Sequence, residues 1–277
     1  MKKILIIGAL IIAVLILNAC SNDNPYRIRV GASSTPHAQI LELVREDLAA
    51  EGFELVISTF SDFILPNLSL DQRELDANFF QHKPFMNNFN ETRGTDLVSI
   101  GGIHYEPLGI YSNTLNSLEG VQANSRVLIP IDLTNQARAL LLLEANGLIT
   151  LREGAGIAAT PNDIIGDPLN LTITPMTAAL IPAALANNEA ALGVINGNFA
   201  LQNGLSINDA LAIETKDSTA ALTYVNIVAV RRGTEDDPRF AALINALQSQ
   251  KVIDFIEQNF YGAVVPLFTD RNGNPLE

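Results

Sequence analysis

Asp76-Ala77-Asn78-Phe79-Phe80-Gln81-His82-Lys83-Pro84-Phe85 gathers aromatic, amide and imidazole groups into one short stretch of an otherwise aliphatic, acidic chain. The approach over 73–80 is short and β-like, and Pro84 suits the first turn of a helix. The stretch therefore reads as a strand that delivers Gln81 and His82 to a strand-to-helix junction. Adjacent Phe79 and Phe80 point to opposite faces of a strand; with one ring in the core, Phe80 is assigned to a cleft. The competing reading puts both rings in the core and leaves His82 as a cap or a surface residue.

Working upstream, Tyr26-Arg27-Ile28-Arg29-Val30-Gly31 alternates as a strand. Ser33-Ser34-Thr35-Pro36 then supplies hydroxyl caps and a first-turn proline, and Ile40, Leu41, Val44 and Leu48 recur at helical spacing. His37 falls in the first turn of that helix and reads as a surface residue. Gly52 ends the helix, 53–60 makes the next strand, and Ile64, Leu65 and Leu68 belong to a short helix. Downstream, 96–102 is a strand leaving at a glycine turn, and 107–111 is a strand leading out of a first lobe. Strands alternating with helices imply a mostly parallel sheet with helices on both faces. In such sheets ligands collect at the carboxyl ends of strands. His82, His104 and Tyr105 are expected just after strands, where that rule looks.

A second unit begins near Ser112. A buried-type strand over 127–130 is followed by Thr134 or Asn135 as a cap and a helix over 137–148. Arg138 in the first turn works against the helix dipole. Either it binds a carboxylate bidentately or it pairs with Asp132. Strand, helix and strand follow over 169–173, 177–187 and 191–195, ending at Asn196-Gly197-Asn198-Phe199. Strands are expected over 211–213 and 222–230. Asn226 inside so apolar a run needs a hydrogen-bond partner, from backbone or from ligand. Closing helices over 238–247 and 251–260 precede a polar tail, 269–277, expected to be loosely ordered. A strong strand returning after a complete middle unit gives two lobes, 26–110 with 224–268 and 111–223. Their two crossings form a hinged cleft.

The 277 residues are 48% hydrophobic, enough for a sizeable core. Residues 1–19 are set aside as a secretory signal, because Lys2 and Lys3 precede an apolar run too short to span a bilayer. The single cysteine, Cys20, follows Leu17-Asn18-Ala19, a spacing that resembles the lipobox at which bacterial lipoproteins are cleaved and lipidated. Residues 20–25 then form a lipidated tether on the extracytoplasmic face of a cell membrane. Removing two lysines takes the formal charge from −13 to −15 (−13 − 2), which excludes nucleic acid as a partner. The adjacent Arg231-Arg232 reads as an exposed strand end. No Gly-x-Ser-x-Gly elbow or phosphate-cradling loop is present, so the chain is read as a non-enzyme without cofactor. His37, His82 and His104 are too scattered to be read as a metal site. The inventory fits a small zwitterion with an apolar tail: Arg138 for a carboxylate, Asn196 or Asn226 for an ammonium, and Phe63, Phe80 and Phe85 around the tail. A thioether suits such rings.

Several stretches together resemble one family, the methionine-binding lipoproteins of ABC importers, the MetQ or NlpA group. They are Thr35-Pro36-His37-Ala38-Gln39-Ile40-Leu41-Glu42, Phe60-Ser61-Asp62-Phe63-Ile64-Leu65-Pro66-Asn67 and Leu75 through Phe85. Further on come Glu106-Pro107-Leu108-Gly109-Ile110-Tyr111-Ser112, Thr134 through Leu143 with its Asn-x-x-Arg-x-Leu-Leu-Leu-Leu motif, Val194-Ile195-Asn196 and Tyr224-Val225-Asn226-Ile227. The resemblance implies an α/β, two-lobed periplasmic-binding-protein fold, type II-like, each lobe a mixed sheet flanked by helices. It implies closure on L-methionine and delivery to an ABC permease with its ATPase. Alternatives are D-methionine, another apolar amino acid or a methionine dipeptide, or a surface adhesin without transport role. By motif position Phe63, Phe80, His82 and Phe85 surround the side chain, Arg138 holds the carboxylate, and Asn135, Asn196 and Asn226 tie down the backbone groups; Tyr105 is a further candidate. The chain departs from the family at Phe63 and Phe85, often tyrosine, at Ile131 and Leu133, at Leu180 and Ala183, and in an insertion-like 219–222. The loop changes are expected close to the carboxylate site.

Overall fold

The computed structural model describes residues 24–215 and 219–276. The signal segment and Cys20 lie outside the described residues. Among those described, no helix is long and apolar enough to cross a membrane.

The first half of the chain lays down β1 (Arg27–Ser33), β2 (Glu54–Phe60), β3 (Ala77–His82) and β4 (Leu97–Tyr105). A second sheet takes β5 (Gly109–Tyr111) and β6 (Arg126–Pro130). The small pair β7 (Thr150–Leu151) and β8 (Ile164–Gly166) intervenes before β9 (Thr172–Met176), β10 (Leu192–Ile195) and β11 (Ala212–Ile213). The chain then returns with β12 (Asn226–Arg231) and β13 (Val265–Thr269). The sheets are ordered β13-β4-β12-β3-β1-β2 and β11-β5-β10-β6-β9. The chain crosses between them twice, once from β4 to β5 and once from β11 to β12.

Both sheets are mixed. β1 runs parallel to β2 and β3, but β12 inserts antiparallel between β3 and β4. A strand re-entering from the other sheet arrives from the opposite end, so it breaks the mostly parallel pattern that βα alternation implies. Each sheet has its own core. Ile28, Val30, Phe79, Val228, Phe240 and Leu243 anchor the first, and Ile110, Val127, Ile129, Leu140, Leu143 and Val194 the second.

Three expectations need correction. The apolar run 222–230 is not one strand: Thr219–Thr223 is helical, and the strand starts at Asn226. Its early apolar residues serve the crossing, where Ala221 and Tyr224 pack on Tyr105; an apolar run alone does not separate strand from buried helix. The helix expected over 137–148 is Leu133–Ala145, capped by Asp132, whose Oδ1 accepts from the Asn135 N–H at 3.0 Å. Arg138 thus stands a turn inside the helix. The polar tail is ordered, because Asp270 accepts from the backbone of Asn272 and Asn274, and the Leu276 N–H returns to the Phe268 carbonyl.

Candidate functional site

The strand-to-helix junction forms as the sequence reads. Phe79 is fully buried in the first core, while Phe80 faces a cavity. Strict alternation would return Gln81 to the core face, but the β3–β12 register slips: Phe79 pairs with Val228 and Gln81 with Ile227. Phe80 is the extra residue of a bulge, and a bulge re-aims the side chains beside it. Phe80, Gln81 and His82 consequently all line the cavity. His82 also caps the helix Lys83–Arg93, its Nδ1 accepting from the Phe85 N–H at 3.2 Å. That bond makes Nε2 the protonated nitrogen, and Nε2 donates to Asn135 Oδ1 at 3.2 Å, from the second sheet's helix. Burial first, then the nearby Arg138 charge, lower the His82 pKa to about 3, so the ring is neutral.

Beside His82 on the first sheet stands Asn226 of β12, and opposite stand Asn135, Arg138, Asn196 and Asn198. With Phe63, Phe80, Phe85, Gln81, Glu106 and Gly197 they line one cavity between the two sheets. Phe63 packs on Phe80, Phe85 and, at 4.7 Å between ring centroids, on Phe199 of the opposite side. Its loop is pinned by Asp62, whose Oδ1 accepts from the N–H groups of Ile64 and Leu65. Asn135 Oδ1 accepts from Asn196 Nδ2 as well as from His82, so one amide ties both sides together. Two buried polar atoms of this lining have no hydrogen-bond partner in the structure: Asn196 Oδ1 and Asn198 Nδ2.

Arg138 does not pair with Asp132. Its guanidinium bonds Glu214 through Nε at 2.8 Å, donates to the Glu106 backbone carbonyl at 2.7 Å, and lies 4.5 Å over the Tyr224 ring. Burial opposes its charge, but the Glu214 carboxylate outweighs burial and raises its pKa overall. Glu214 further accepts from the Tyr105 hydroxyl and the Leu108 N–H, so a residue after β11 is tied to the crossing that follows β4. Nothing local in the sequence marks Glu214, which lies 76 residues from Arg138.

Tyr105 is outside the cavity lining. It is fully buried within β4, its hydroxyl spent on Glu214, and it supports the arginine from behind. His37 is not at the surface either. The segment Ser34–Ala38 forms a wide turn before the helix proper, and this drops the imidazole beneath the sheet, 4.7 Å from the Phe79 ring and 4.9 Å from that of His104. His37 Nε2 lies 3.0 Å from Asn226 Oδ1 and 3.4 Å from Glu106 Oε1, and His104 Nε2 lies 2.8 Å from the same oxygen. Ile131, Leu133, Leu180 and Ala183 are exposed and absent from the lining, so none of these departures places a side chain in the cavity.

His37, His104 and Glu106 bring three donor atoms within 4.8 Å of one another. No acceptor reaches Nδ1 of either ring, whereas a metal-bound imidazole nearly always gives its other N–H to one. Both rings are held neutral, His37 at about 4 and His104 at about 3, chiefly by burial. The trio is better described as two imidazoles bonded to a buried carboxylate than as a metal centre. Glu106, like Glu214, carries no role in the sequence analysis, although its Glu-Pro segment is one of the stretches that resemble the family.

The NlpA lipoprotein family model matches residues 28–268. The chain belongs to the NlpA lipoprotein family. Among its relatives, the methionine-binding lipoprotein MetQ of Bacillus subtilis (strain 168) is 36% identical over 275 residues, covering 96% of this chain and 99% of that protein. The D-methionine-binding lipoprotein MetQ of Salmonella typhimurium is 36% identical over 269 residues, covering 95% and 97%. A nutrient binding protein from Burkholderia cenocepacia, solved bound to methionine, superposes with a TM-score of 0.81 at 36% identity, covering 86% and 99%. The family is one of substrate-binding lipoproteins, not of enzymes.

Proposed function

We propose that this chain captures methionine, as the L form, and delivers it to an ABC permease and its ATPase while tethered to the extracytoplasmic face of the cell membrane through Cys20. The part of the chain built on the first sheet and the part built on the second act as two lobes that close on the ligand, and bound ligand shifts the equilibrium toward the closed form by binding it better. The observation that carries this reading is one small cavity combining three phenylalanines with a buried guanidinium and unpartnered amide atoms. In it Phe63, Phe80, His82 and Phe85 surround a thioether side chain, Arg138 receives the carboxylate, and Asn135, Asn196 and Asn226 orient the head group. A vestigial cleft in a surface adhesin would have no reason to retain unsatisfied buried polar atoms, which cost stability.

Calorimetric titration of the chain from Ser21 onward, unfolded and refolded to release any retained ligand, tests this. The panel is L-methionine, D-methionine, leucine and a Gly-Met dipeptide. Tight binding selective for L-methionine is expected. Preference for D-methionine, the ligand in the Salmonella relative's name, would reverse the stereochemical assignment. No binding to any of the four would overturn the reading.

A further inference from the structure

The chain has 17 Lys and Arg against 30 Asp and Glu, yet five arginines line one surface depression. Arg27, Arg29, Arg73, Arg231 and Arg239 meet there with two carboxylates, Asp76 and Asp237. The depression opens where β1 and β3 begin and β12 ends, so it lies at the opposite end of the first sheet from His82 and the cavity. The six residues of β3 separate the two, roughly 20 Å at about 3.3 Å per residue.

The carboxylates there are already engaged. Asp76 pairs with Arg29 through Nε and Nη2 at 3.0 Å each and accepts the Arg29 backbone N–H at 2.8 Å. Asp237 accepts from the Arg239 guanidinium at 2.8 Å and caps the helix Pro238–Leu247. Glu54, outside the lining, pairs with Arg27 at 3.0 Å. Five guanidinium groups thus meet three carboxylates, and the two left over are Arg231 and Arg73. Arg231, at the strand end that the sequence marks as exposed, is instead half-buried. Its Nη1 donates to the Leu70 and Leu75 carbonyls at 2.6 Å each, and its Nε and Nη2 have no partner among the described residues. Burial lowers its pKa, and the pull of Asp76 does not offset burial together with the charges of Arg73, Arg29 and Arg239. Arg73 is exposed, and no hydrogen bond or ion pair among the described residues holds its guanidinium; the neighbouring Glu74 turns to the Ser69 hydroxyl instead. Arg73 occupies a left-handed backbone position, φ 67°, just past the helix Leu65–Asp71 and its cap Gln72, where glycine is the usual residue. Like charges gathered with open N–H donors call for an anion.

We propose that this depression is a binding site for a phosphate group, with Arg73 and Arg231 as its principal ligands and Arg27 at its side. A phosphate accepts from several guanidinium N–H groups at once and carries the negative charge that the cluster lacks. The tether says where such a group is met. Asn24 and Pro25 line the same depression, and Cys20 stands four residues before Asn24, a reach of at most about 14 Å. A chain held by Cys20 therefore keeps this end of the sheet within reach of lipid headgroups. That source rests on the tether proposed above, whereas the site itself does not; free phosphate is the other source of the same chemistry.

The test uses the chain from Ser21 onward, which keeps every described element, at low ionic strength so that salt does not screen the arginines. Calorimetry with inorganic phosphate reads the site, and flotation with phosphatidylglycerol vesicles reads the headgroup. So acidic a chain is repelled by such vesicles unless a local positive site holds them. Arg73→Gly removes one charge and keeps the left-handed backbone; Arg27→Gln removes another. Each is expected to weaken phosphate binding about fivefold or more, while methionine affinity moves less than about twofold. Arg73-dependent flotation, with or without phosphate binding, assigns the site to lipid headgroups. Arg73-dependent binding of phosphate alone bears the site out and assigns it to the free anion. A parent that binds neither probe overturns the proposal, and so does binding that neither variant weakens.

Discussion

The cavity has two unlike sides. The first sheet contributes a wall of Phe80, His82 and Phe85, joined by Phe63, whose rings pack on one another and whose imidazole is bonded at both nitrogens. The second sheet contributes a floor of Asn135, Arg138, Asn196 and Asn198, in which an acceptor and a donor are left unpaired. The wall is a buried aromatic cluster in its own right, with Phe89 and Leu68 packed behind it, so the groups that would meet a ligand also stabilise the fold. The floor holds polar atoms at a cost in stability, and a ligand with matching groups returns part of that cost as affinity.

Acidification gives the largest effect expected and strains both sides at once. His37, His82 and His104 have folded pKa values of about 4, 3 and 3, below the ordinary 6.5. Below pH 6.5 the unfolded chain binds protons there that the folded chain does not. The stability these rings contribute is full above pH 6.5 and is lost as pH falls toward the folded values, by about 1.4 kcal/mol per pH unit for each ring. Glu106 and Asp132, whose pKa values burial raises, work the other way: near the carboxyl range they hold protons in the folded state and blunt the slope. Urea midpoints measured from pH 7 to pH 5 should fall steeply; a flat profile would show that the imidazoles are not buried neutral.

Arg138→Ala attacks the floor. It strands Glu214 as a buried charge, expected to cost about 3–5 kcal/mol of stability, and lowers methionine affinity at least about tenfold. Unchanged binding in titrations would remove Arg138 from the site. Phe80→Ala attacks the wall and should cost about 3 kcal/mol or more in denaturant unfolding, with weaker binding alongside. Asn196→Ala sharpens the contrast most cleanly. It deletes the unpartnered Oδ1 together with the Nδ2 donor to Asn135, a relieved penalty against a lost hydrogen bond, so stability should change by less than about 1 kcal/mol while affinity falls by about fivefold to tenfold. If it instead destabilised the fold as much as Phe80→Ala, the distinction between wall and floor would fail.

Much of the wall was legible in the linear sequence because it is local. Phe79, Phe80, His82 and Phe85 lie within one strand, one cap and one helical turn, and the alternation of strand faces with the proline signal places them. The floor was legible in part. Asn135 and Arg138 share a helix and Asn196 ends a strand, but their convergence on the wall needed the fold. His37 was misplaced because the helical pattern that follows it was extended one turn too far upstream. Glu106 passed without a role because a lone carboxylate next to proline carries no local sign of burial.

The sequence by itself determined the strand-helix alternation, the junction at His82, the apolar faces of both cores and a strongly negative net charge. These depend on hydrophobic period, turn chemistry and composition, which are properties of neighbouring residues. Only the tertiary structure decided that Glu214 neutralises Arg138, that two imidazoles converge on Glu106, and that a bulge turns Phe80, Gln81 and His82 toward one cavity. Those depend on desolvation and on charges meeting across 76 residues or more than one sheet, and burial of a polar group is fixed by everything packed around it.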